Sequence, residues 1–179
     1  MAEWLDADLV IPENDAPNRE FFEQQGGGQL KLPKCNDCEM LHYPPRTMCP
    51  DCRSTDISYQ AVSGKGTIHT YVILSEPIHP AFHPYPNTPI ALIELDEQCG
   101  VSGGNGDRSK QPAADRALRL VGNIVRDDGS FEHPGEVAVN KRVQVKIIDL
   151  GDGLGLPQWQ LSDEPPADEP WQISAPGAW

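Results

Sequence analysis

Four cysteines, Cys35, Cys38, Cys49 and Cys52, stand as C-x-x-C, ten residues, then C-x-x-C. No other feature constrains the fold of this 179-residue chain as tightly. Each pair builds a tight knuckle whose two thiolates aim at one ion. The ten-residue spacer brings the second knuckle back onto the first. Four sulfurs then form the tetrahedron that Zn²⁺ prefers. Protein fills all four positions and leaves none for water or substrate. The spacing therefore predicts a structural zinc site and speaks against the metal as a catalyst. Iron in a redox site is the rival, because a tetrahedral thiolate set accepts either metal. Lys34, Arg46 and Arg53 lie close in sequence. They either offset the charge of the metal–thiolate centre or sit solvated. His42, between the knuckles, is surplus as a ligand.

The chain carries 14 Lys+Arg against 27 Asp+Glu, a net charge of −13. Residues 1–17 and 162–179 hold nine of the acids and no Lys or Arg. Acidic ends on a mildly acidic middle give no electrostatic footprint for nucleic acid. They also disfavour anionic membrane surfaces. No apolar run approaches the roughly 20 residues of a membrane span. No basic region followed by an apolar stretch marks a secretory leader. Five cysteines, four of them in metal spacing, suit a reducing cytosol. A cytoplasmic location is expected.

Residues 1–14 read as an acidic N-terminal tail, left to a partner to order. Residues 15–29 read as a helix, with Asp15 as N-cap, Pro17 in the first turn and Gly26–Gly27–Gly28 as its stop. Phe21 and Phe22 give it an apolar side, either for the core or for docking another chain. Residues 30–56 form the metal module. From 57 to 161 the pattern is β. Ile57, Tyr59 and Ala61 alternate, and four strong runs follow at 67–74, 89–95, 118–125 and 142–150, with a short fifth at 157–161. Gly122 marks a bulge or a close approach. The segment 133–139 holds a single helical turn. Five strands with a long first loop are the ingredients of an OB-type barrel. Residues 97–116 read as a mobile insertion. Residues 162–179 read as an acidic Pro-rich tail carrying Trp171 and Trp179.

The order of motifs carries a resemblance. An aromatic helix ends near Gly26, followed by C-x-x-C, Pro44-Pro45-Arg46 and Cys49-Pro50-Asp51-Cys52. Then come Ser63-Gly64-Lys65-Gly66-Thr67, Pro80-Ala81-Phe82, the run 89–96 (PIALIELD) and Leu120-Val121-Gly122-Asn123. This resembles the thiolase-associated family of small proteins with an N-terminal rubredoxin-like zinc ribbon and a C-terminal OB-fold. The match covers about residues 18–161. The resemblance implies a mainly β chain: an N-terminal helix and rubredoxin-like zinc ribbon, then a five-stranded OB-fold barrel. It also implies a non-catalytic accessory subunit of a thiolase-superfamily enzyme, a β-ketoacyl-CoA thiolase or thiolase-like retro-aldolase. There it would form a hetero-oligomer and help complete the acyl-CoA site, with a coenzyme A thioester as ligand of the complex. Outside the shared pattern lie the long insertion 97–116, Asn140-Lys141 before the fourth barrel strand, and the tryptophan-bearing tail.

Two other classes are open to a ribbon plus a barrel. One is a single-stranded nucleic-acid-binding OB module, which the charge of −13 opposes. The other is a rubredoxin-like iron redox protein. As an enzyme on its own the chain offers little. Cys99 lies beside Gly100 in the insertion, where nothing supplies the fixed base a nucleophilic thiol needs. In the 77–89 loop, His79, Phe82, His83 and Tyr85 are candidate contacts to a partner or to acyl-CoA. The plainer reading is a proline-stiffened connection. Arg46, Lys65 and Arg119 are candidates for coenzyme A phosphates, set against the usual solvation of lone cations.

Overall fold

β-Branched and aromatic residues dominate the runs that form the barrel. In this computed structural model, which describes residues 2–5, 7–11, 13–98, 117–166 and 168–172, they become five strands. These are β5 (Lys65–Leu74), β6 (Thr88–Leu95), β7 (Arg119–Asn123), β8 (Arg142–Gly151) and β9 (Leu154–Leu161). Four shorter elements precede them: β1 (Ala2–Trp4), β2 (Ala7–Leu9), helix α1 (Ala16–Gln25) and the ribbon strands β3 (Lys31–Cys35) and β4 (Ile57–Ala61).

The five long strands form one antiparallel sheet in the order β7-β6-β5-β8-β9. Its ends meet where Ile124, just past β7, makes a parallel bridge to Trp159 in β9. The Val125 N–H donates to the Trp159 carbonyl at 2.7 Å. The result is a mainly β fold with a five-stranded OB barrel, as the strand pattern and the resemblance imply. Closure removes the free edges an open sheet would expose. β6 alternates as a half-buried strand should, with Ala91, Ile93 and Leu95 inward. They meet Ile68, Leu120, Val143 and the fully buried Trp159. Burying an indole of about 200 Å² contributes on the order of 5 kcal/mol.

Gly122 is a close approach, not a bulge. An added Cβ there would lie 2.7 Å from Trp159 Cδ1. The sheet's irregularity falls instead between Ile68 and Thr70 in β5. The turn within 133–139 is present at Pro134–Glu136.

Three segments differ from the sequence reading. The 1–14 stretch is not a loose tail, since β1 and β2 pair as an antiparallel hairpin. Trp4 is 9% exposed and packs edge-on to Phe131 at 5.3 Å and tilted against Phe82 at 6.1 Å. Its Nε1 donates to the Gly129 carbonyl at 3.3 Å. Glu3 and Asp8 face outward while Trp4 and Ala7 face in. The second difference is β4, which does not join the barrel. It pairs with β3 over Lys31↔Ala61 to Cys35↔Ile57, so the ribbon extends past residue 57. The third concerns 162–166 and 168–172, which return to the barrel. Trp171 bridges Val139, although its side chain stays 54% exposed. Cys99, Trp179 and nearly all of the 97–116 insertion lie outside the described residues.

The helix ends on a buried polar joint. Gln25 is fully buried. Its Nε2 donates to the carbonyls of Phe21 at 2.8 Å and Lys31 at 2.9 Å. Its Oε1 accepts from the Lys31 N–H at 3.0 Å. The joint sets the start of β3, the strand that delivers Cys35. Phe21 is buried in the core, which answers the choice between core and docking for that ring.

Candidate metal centre and barrel mouth

Two knuckles of the same local shape carry the cysteines. In the first, the Cys35 N–H donates to the Met40 carbonyl at 2.9 Å, and the Glu39 N–H donates to the Cys35 carbonyl at 2.9 Å. In the second, the Cys49 N–H donates to the Ser54 carbonyl at 2.8 Å, and the Arg53 N–H to the Cys49 carbonyl at 3.1 Å. Glu39 and Arg53, each following the second cysteine of its pair, take left-handed φ values of 61° and 65°. A non-glycine residue there costs roughly 1–2 kcal/mol. The repeated strain marks a geometry held for the sulfurs.

The four Sγ atoms lie within 4.8 Å of one another. Cys35 and Cys52 are 3.4 Å apart, and Cys38 and Cys49 3.6 Å. Zn–S bonds of about 2.3 Å in a tetrahedron place sulfurs about 3.8 Å apart, so the cluster fits one ion. Amide N–H groups point at the sulfurs. The amide of Cys38, joined by that of Asp37, helps hold the Cys35 thiol down to about 7. Burial pushes the Cys38 thiol up to about 12 despite the Met40 amide. A divalent ion requires every thiol as thiolate, so binding releases protons and weakens as pH falls. His42 is buried, its imidazole driven toward the neutral form by that burial, and it is not part of the cluster.

At the barrel mouth, the 77–89 loop brings Phe82 and Tyr85 onto Phe131, with ring centroids at 6.4 and 5.6 Å. His79 lies 5.9 Å from Phe82, and its Nδ1 accepts from the Ala81 N–H at 3.3 Å. Its neighbour His83 is exposed. The cations are distributed differently. Arg119 pairs with Glu94 at 2.8 Å. Lys65 pairs with Glu164, which also holds Arg142. Arg46 is exposed and has no ion-pair partner among the described residues. Lys65 and Arg119 thus close onto separate acids.

The family pattern "ChsH2, rubredoxin-like zinc ribbon domain" matches residues 28–58. "ChsH2, C-terminal OB-fold domain" matches residues 59–147. The chain belongs to this ChsH2, or DUF35, family. A chain of the solved Ltp2-ChsH2(DUF35) aldolase superposes with a TM-score of 0.62 at 26% identity, covering 84% of this chain and 98% of that one. A probable enoyl-CoA hydratase alpha subunit of Thermomonospora curvata is 34% identical over 87 residues, 48% of this chain and 26% of that protein. A DUF35 domain-containing scaffold protein of Methanocaldococcus jannaschii is 34% identical over 74 residues, 39% of this chain and 50% of that protein. The chain therefore spans half or less of these curated relatives.

The family patterns begin at residue 28 and so leave out the hairpin and helix. Those segments bring Trp4 and Phe22 to the barrel mouth, and sequence reasoning passed over both as site residues. The available signal was a tryptophan inside an otherwise acidic stretch.

Proposed function

We propose that this chain is a non-catalytic accessory subunit of a thiolase-superfamily enzyme, a β-ketoacyl-CoA thiolase or thiolase-like retro-aldolase, in acyl-CoA metabolism. The observation that carries the reading is the superposition of ribbon and barrel together on a chain of the Ltp2-ChsH2(DUF35) aldolase. A filled four-thiolate site supports a scaffolding role for zinc, held by Cys35, Cys38, Cys49 and Cys52. The net charge of −13 favours a protein partner over nucleic acid. The small chain would stabilise the complex and help form the acyl-CoA site, while the thiolase-like chain carries the reactive groups.

Reconstitution tests the reading. Thioester turnover is measured for a candidate thiolase-superfamily protein from the same organism, with and without this chain. The expected result is activity or stability that depends on the small chain, and no turnover by the small chain alone. A partner equally active and soluble without it would overturn the proposal.

A further inference from the structure

A groove of about 460 Å³ opens at the barrel mouth between the N-terminal hairpin and the 77–89 loop. Its floor and walls include Trp4, Phe22, Phe82 and Phe131, and Val10 and Ile78 stand on its rims. Val10 is 90% exposed and Ile78 93%. The volume falls in the range of about 300–1,000 Å³ typical of small-ligand clefts. The position also suits a ligand, since OB barrels bind at the face bordered by their first long loop.

The chemistry of the lining selects the occupant. Among the described residues, no Asp, Glu, Lys or Arg lines the groove, although the chain carries 41 such residues. The phosphates of a nucleotide would find no cation here. The polar groups are few: His79, Thr88 and Asn123. Thr88 Oγ1 is committed to the Tyr85 carbonyl at 2.8 Å. Asn123 Nδ2 donates to the Pro89 carbonyl at 3.2 Å. Its Oδ1 makes no hydrogen bond among the described residues. An apolar trough with one fixed carboxamide oxygen matches a neutral, mostly hydrocarbon ligand with at most one polar group.

We infer that this groove binds the apolar acyl portion of a thioester, and that the N-terminal hairpin forms one wall of the subsite. The inference rests on the acyl-CoA reading above and deepens it: the acyl chain lies against this subunit, and the phosphates lie elsewhere.

The full-length zinc-loaded chain, labelled at its methyl groups, tests this by NMR titration with the N-acetylcysteamine thioester of octanoic acid. The expected result is a saturable shift of the Val10, Leu74, Ile78 and Ile90 methyls and of the Trp4 indole N–H. The acetyl thioester should give no saturation. Ile78→Asp, at an exposed rim position that leaves the core intact, should weaken octanoyl binding at least about tenfold by placing a charge against the chain. Equal response to acetyl and octanoyl thioesters, no saturable shift, or unaltered binding by the variant would each overturn the inference. So would groove shifts that grow with protein concentration alone, which would make a second copy the occupant. Association with a thiolase-like partner is read separately, so either proposal can fail without the other.

Discussion

Replacing Gln25 by leucine should destabilise the fold by about 3 kcal/mol, because three hydrogen bonds at about 1 kcal/mol net each are lost. The side chain is fully buried and bonds the Phe21 carbonyl and both the N–H and the carbonyl of Lys31. Leucine nearly preserves the volume, so cavity formation adds little. Lys31 is partly exposed, which lets water recover some of the loss. That sets a range of about 2–4 kcal/mol. Urea unfolding of the zinc-loaded chain reads the change as a lower midpoint at constant slope. Gln29→Leu, at an exposed site in the next turn, serves as control and should move stability by less than about 0.5 kcal/mol. Since the joint sets the start of β3, Gln25→Leu should also weaken metal retention. A loss below about 1 kcal/mol, or one matched by the control, would refute the view that this joint fixes helix to ribbon.

Other outcomes follow from the same structure. Gly122→Ala should cost about 1–3 kcal/mol by driving a Cβ into the buried Trp159 ring, whereas Gly27→Ala meets nothing within 4 Å and should be neutral or slightly stabilising; thermal melts compare the two. Metal analysis of native material should find one zinc per chain, and a chromogenic chelator should strip it faster as pH falls; a red protein with bound iron would contradict this. Asp96 is held below its ordinary carboxylate value first by its hydrogen bonds from Arg142. The stability it contributes is therefore full above the unfolded value and is lost as pH falls through the depressed one. The melting difference between the wild type and Asp96→Asn should be full near about pH 7, begin to shrink only near about pH 4, and be lost as pH falls through the depressed value.

The barrel and the metal ligands were legible because both signals are local. Runs such as 67–74 and 89–95 declare strands by composition, and the cysteine spacing declares a four-sulfur cluster. Pairing was less legible. Ile57, Tyr59 and Ala61 announce a strand, but nothing in their alternation says that the partner is Lys31–Cys35 and not the barrel. The hairpin strands Ala2–Trp4 and Ala7–Leu9 escaped because three-residue strands are too short to show a period, and the outward Glu3 and Asp8 mask the inward Trp4. The aromatic mouth was legible only in part, since Phe82 and Tyr85 were candidate contacts while Trp4, Phe22 and Phe131 were not. Trp4, Phe22, Phe82 and Phe131 are far apart in sequence, and only the packing of hairpin and helix against the barrel gathers them. Lys65 and Arg119 read as free cations because their partners, Glu164 and Glu94, are distant along the chain.

The central claim is that this chain serves as a scaffold for another. Co-expression with a candidate thiolase-superfamily protein from the same organism, followed by size exclusion with light scattering, tests it most directly. The expected result is one stable hetero-oligomer containing both chains and retaining zinc. Two separate peaks, with the thiolase-like protein homogeneous and active alone, would contradict it.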